Sequence, residues 1–112
     1  MKSLNLKLKR FSDALNGIDF DEIYHYDAGT SNSKRYIVWT EEGEGTSEYS
    51  NNRHANQVIQ GSVDLYTTEE FDVLVDAIQD AMDADYIAFT LLAVQFETET
   101  GFIHYTWKWE VS

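Results

Sequence analysis

The chain has 112 residues, with 8 basic and 20 acidic side chains, a formal charge of −12, no cysteine and no proline. That length suits one domain with a single core, its 43% hydrophobic content excludes the apolar-poor disordered class, and the missing cysteines exclude disulfide scaffolds and thiolate metal centres. The negative charge argues against general nucleic-acid binding, because it repels phosphate.

Leu4, Leu8, Phe11, Leu15 and Ile18 follow helical spacing and Asn16-Gly17 is a stop signal, so a first helix is expected at about 3–15. Lys and Asn interrupt the apolar positions of residues 1–7, which leaves no signal-peptide core there. No apolar run reaches the roughly 18 residues that span a bilayer, so neither a membrane partner nor export is expected, and the default compartment is the cytoplasm. Residues 1–10 hold Lys2, Lys7, Lys9 and Arg10 and no acid, which leaves 4 basic and 20 acidic side chains in the other 102 residues. A basic helix on an acidic remainder predicts an electrostatic contact, within one chain or between copies.

The segment Glu22–Ala28, with Ile23-Tyr24-His25-Tyr26, reads as a strand, Asp27–Lys34 as a loop, and Arg35–Glu41 as a second strand. From Glu42 to Asn56 nothing is periodic. A loop of that length in a small domain is usually functional, or disordered until something binds. Ile59, Gly61, Val63 and Leu65 then alternate with polar residues as a half-buried strand.

Thr67-Thr68-Glu69-Glu70 has the form of a capping box, with Tyr66 and Phe71 placed as a hydrophobic staple. A second helix is therefore expected from Thr67, burying Phe71, Leu74, Val75, Ile78 and Met82 and exposing Asp72, Asp76, Asp80 and Asp83. Asp80, Asp83 and Asp85 sit at its C-terminal end, where the helix dipole favours cations, so a basic neighbour is expected there. Ile87–Val94 is apolar on both faces and predicts a central strand covered from both sides. Glu97–Gly101 is a hairpin turn, and the last strand alternates Ile103, Tyr105, Trp107, Trp109 and Val111 toward the core. The expected fold is α+β, a single domain over 1–112 in the order αβββαββ, with a mostly antiparallel sheet and two helices on one face.

Phosphate-loop, dinucleotide, nucleophile-elbow and zinc-protease motifs are all lacking. His25, His54 and His104 have no ligand spacing, and they read as satisfied or solvated. The clusters Asp19/Asp21/Glu22 and Glu41/Glu42/Glu44/Glu48 do not match a calcium loop. No catalytic, cofactor or metal site is expected; a metal hydrolase built on the scattered acids is the weakest alternative.

The run Tyr36-Ile37-Val38-Trp39, the polar loop with Asn52, the stretch Gln57-Val58-Ile59-Gln60-Gly61-Ser62-Val63-Asp64-Leu65-Tyr66-Thr67 leading into the Asp72-bearing helix, and the closing Gln95–Val111 resemble the tail terminator, or tail-to-head joining, proteins of long-tailed bacteriophages and prophages. The resemblance covers most of the chain. It implies a virion-assembly protein without enzymatic activity that is found at the tail end and in the host cytoplasm during assembly. Such a protein caps the tail tube as a ring, commonly of six subunits, and its partners are the tail tube protein and a head-completion protein. On this reading Lys7, Lys9 and Arg10 face Asp76, Asp80 and Asp83 of a neighbouring subunit, and Glu44, Glu48, Asn52 and Arg53 form a tube-facing loop. Reversing Lys7, Lys9 and Arg10 to Glu is expected to block assembly and spare the fold. The rival is an acidic inhibitor that mimics DNA through Asp72, Asp76, Asp80 and Asp83 and binds a basic nucleic-acid-binding protein.

Overall fold

The Ser3 side chain accepts a hydrogen bond from the Asn5 amide and opens α1, Leu4–Asn16. Its buried stripe of Lys7, Phe11 and Leu15 faces a sheet. The structure, a computed structural model, describes residues 3–29, 32–45 and 57–112. The further elements are β1 (Ile23–His25), β2 (Arg35–Glu44), β3 (Ile59–Thr67), α2 (Val73–Ala84), β4 (Ala88–Phe96) and β5 (Ile103–Val111). The fold is α+β in the expected order.

The five strands lie in the order β1-β2-β3-β5-β4, and only the β1–β2 pair is parallel. Since β5 is antiparallel to both β3 and β4, β3 and β4 run the same way with β5 between them, and α2 makes the crossover. The hairpin closes as predicted, with the Gly101 amide on the Glu97 carbonyl at 2.8 Å and Gly101 at φ +79°. Both helices cover the face that carries Ile37, Trp39, Val63, Leu65, Trp107, Trp109 and Val111. Phe11 stacks on Trp109 with ring centroids 3.9 Å apart, and the Trp107 and Trp109 indole N–H groups donate to the Gln79 side chain and the Ser62 carbonyl respectively, each at 2.9 Å. Gly61 lies under this core. A Cβ there would come 2.0 Å from the Thr40 carbonyl oxygen and 2.5 Å from the Trp109 ring.

Two expectations fail. The second helix begins at Val73, not after Thr67, and its N-cap is Asp72, whose carboxylate accepts the Leu74 amide at 2.8 Å. Thr67 is the end of β3; its hydroxyl accepts the Glu69 amide at 3.0 Å and donates to Asp72 at 2.6 Å. Phe71 is therefore no staple: it has φ +58° and is 89% exposed. Asp72, expected on the outer face, is buried because the cap carboxylate outcompetes the box for the first helical amides. The second failure is β4. It is an edge strand with Leu91, Leu92, Val94 and Phe96 exposed, because the hairpin folds β5 inward against β3 and leaves β4 outermost.

Candidate interaction surfaces

The predicted basic patch is largely engaged inside its own chain. Lys7 is 4% exposed and donates to the Gln57 carbonyl. Arg10 reaches the C-terminal end of α2, where its guanidinium donates to the Asp85 carboxylate at 3.3 Å and to the Asp85 backbone carbonyl. A cation thus does meet the acidic end of α2, and one chain supplies both partners. Lys9 bridges Asp13 at 3.3 Å on the surface of α1. Of the three residues assigned to a neighbour contact, Lys7 is unavailable because it is buried, Arg10 is already paired, and Lys9 remains open to solvent. Reversing Lys7 would place a carboxylate in the core beside a carbonyl, so the triple reversal would not spare the fold. Asp76, Asp80 and Asp83 are exposed on α2. Glu44 ends β2, while Glu48, Asn52 and Arg53 lie outside the described residues.

Between α1 and α2 runs an open groove of about 870 Å³. Ala14, Ile18, Ala77 and Ala81 line its floor, and Arg10 and Asp85 close one end. Small side chains at the crossing leave this furrow on the surface.

The strongest internal constellation joins β2, β3 and the start of α2. The Arg35 guanidinium grips the Asp72 carboxylate through two nitrogens at 2.8 and 2.6 Å and also meets Glu69 at 3.1 Å. Burial pushes the Asp72 carboxyl up, but bonds from Arg35, Thr67 and the Leu74 amide outweigh it and hold the group down at about 2. The same bidentate bond raises the Arg35 pKa. The bidentate Arg35–Asp72 pair, with Thr67 and the Leu74 amide on the same carboxylate, ties β2 and β3 to the start of α2 as a structural clamp.

On the sheet face opposite the helices, Tyr36, Tyr66 and His104 stack in a row, with centroids 4.8 and 4.1 Å apart. The Asp64 carboxylate meets His104 Nε2 at 2.8 Å and accepts from the Thr106 hydroxyl at 2.7 Å. Thr106 also meets Nε2 of that ring, at 3.2 Å. A hydrolytic relay needs the carboxylate on one ring nitrogen and the hydroxyl on the other, so this trio is not one. Burial, with the Asp64 carboxylate adding to it, pushes the Tyr66 phenol up to about 12, which keeps it protonated and unfit as a base at neutral pH.

At the β1 edge His25 lies between Trp39 and Tyr26, 3.7 Å from each ring, with Nε2 2.7 Å from Glu41. Burial raises the Glu41 carboxyl, and hydrogen bonds from Tyr26 and His25 more than offset it, leaving a net depression. Among the described residues no three His, Asp or Glu side chains gather as metal ligands.

The remaining surface feature is apolar. Phe71, Val73, Tyr86, Leu92 and Phe96 are exposed, and the sequence pattern did not mark them. Periodicity separates core from surface along one element, but it cannot tell which strand a hairpin leaves outermost. Neither a known family nor a curated protein matches the chain.

Proposed function

We propose that the chain is a structural protein of phage or prophage virion assembly that caps the tail tube and helps to join tail to head. The observation that carries this reading is where the resembling stretches lie. Tyr36–Trp39 lies within β2, and Gln57–Thr67 and Gln95–Val111 contain β3 and β5, three contiguous strands, so most of the likeness falls on the centre of the sheet. Supporting it, the described surfaces offer contact features, namely an apolar edge and an acidic helix. A ring protomer needs two unlike patches that meet on adjacent copies. Electron microscopy of induced lysates with the gene intact and deleted tests the reading. Overlong tubes without heads establish termination, normal tails without heads establish joining, and intact infectious particles refute both.

A second reading, an acidic inhibitor that mimics DNA, is favoured by one observation. Lys7 is buried and Arg10 is paired within the chain, so these cations interrupt the exposed acids Asp76, Asp80 and Asp83 less than the sequence implies, while Asp72 is buried on Arg35 and leaves that row. Salt-sensitive binding to a basic nucleic-acid-binding protein supports it; no such binding refutes it.

A further inference from the structure

We propose that β4 is a docking edge at which an extended, basic segment of a partner protein adds as a sixth strand. This goes beyond the assembly role and does not depend on it.

β4 is the last strand of the sheet, and among the described residues no strand pairs with its outer side. Proteins usually guard such an edge with lysine, proline or shortness, because its unpaired backbone groups template another strand. The opposite edge, β1, is guarded by shortness, with three residues. β4 has nine residues, no proline and no charged side chain. Its one protection is a register shift between Leu91 and Ala93, which bends the strand and leaves Ala93–Phe96 as a regular stretch.

That stretch lies in an apolar setting. Val94 and Phe96 pair with Tyr105 and Ile103, and Phe96 is 63% exposed. Ile103 pairs in turn with Thr67, the residue from which the chain enters α2, so the exposed Phe71 and Val73 belong to the same end of the domain. An added strand would extend this row of side chains and satisfy the free backbone groups, as in strand-addition recognition.

Charge identifies the occupant. Between Arg53 and Lys108 the sequence has no Lys or Arg and ten carboxylates. Asp83 and Asp85 precede β4, and Glu97 and Glu99 follow it. A second copy is a poor fit, since antiparallel pairing centred on Leu92 sets Glu99 opposite Asp85 at both ends, and like charges placed opposite each other destabilise a ladder. A segment with an uncharged apolar centre and basic flanks turns each of those repulsions into an attraction.

The test uses the whole chain and a synthetic peptide of alternating valine and threonine with lysines at both ends, beside a twin that carries glutamates instead. Fluorescence anisotropy should show the lysine peptide binding at least about tenfold more tightly at low salt, with the gap narrowing at high salt. Hydrogen exchange should slow at Ala93–Phe96 and not at Ile23–His25. Val94→Lys and Phe96→Lys change exposed side chains; each should weaken the lysine peptide and strengthen its glutamate twin, at an unchanged melting temperature. Absence of binding, equal binding of the two peptides, protection at β1, or a dimer that protects β4 without peptide each overturns the proposal.

Discussion

The Asp72 clamp gives the sharpest test of the structural reasoning. Asp72→Ala removes the α2 N-cap, both bonds to Arg35, and the acceptor of the buried Thr67 hydroxyl. Cap loss alone costs about 1 kcal/mol, and breaking one partner of a buried pair costs about 3–5 kcal/mol. These overlap, and Arg35 keeps Glu69 at 3.1 Å, so the lower end applies. The expected loss is about 3 kcal/mol, a large part of the stability of a domain this size. Asp72→Asn isolates the charge, because asparagine caps almost as well. The native carboxyl is held at about 2 against an ordinary 3.8. Discounted for solvent screening, that depression is worth about 1–2 kcal/mol at neutral pH. A depressed carboxyl stabilises above its unfolded pKa, and the contribution fades as pH falls through the folded value. Wild type and Asp72→Asn should therefore differ in urea midpoint at pH 7 and converge between about pH 4 and pH 2. An alanine variant that loses less than about 1 kcal/mol, or a wild-type–asparagine gap that ignores pH, would refute the clamp.

Gly61→Ala should cost about 2–3 kcal/mol, read from the urea midpoint, because the Thr40 carbonyl is backbone and cannot swing aside. Phe71→Gly should leave stability unchanged or raise it by up to about 1 kcal/mol in thermal melts, since it relieves a φ of +58° at an exposed site; marked destabilisation would restore the staple. Lys7→Glu should destabilise the chain severely, whereas Lys9→Glu, which breaks only an exposed bridge, should change stability by less than about 0.5 kcal/mol. The Tyr66 phenol should still be protonated at pH 11 in the ultraviolet titration difference between wild type and Tyr66→Phe, and its burial makes stability fall as pH rises from about 10 to about 12, a loss reduced in Tyr66→Phe, where the raised Tyr26 and Tyr36 phenols remain.

Local chemistry was enough for several elements. The spacing of Leu8, Phe11 and Leu15 places α1 within a residue of its observed ends because apolar side chains recur at the helical period, although Leu4 is 44% exposed and Lys7 completes the buried stripe. The alternation in Ile59–Thr67 and Ile103–Val111 marks β3 and β5 and their inward rows for the same reason. What failed needed knowledge of neighbours. Thr67 and Asp72 both have the chemistry of a cap, and Arg35, distant in sequence, decides between them by fixing Asp72 beside the Leu74 amide. Lys7 and Lys9 look alike in a basic run, yet their helical positions turn one to the core and the other to water. The run Ile87–Val94 carries the same apolar side chains whether a strand is central or outermost. Its place at the sheet edge is decided by β5 pairing with β3, a contact between distant parts of the chain that no local pattern encodes.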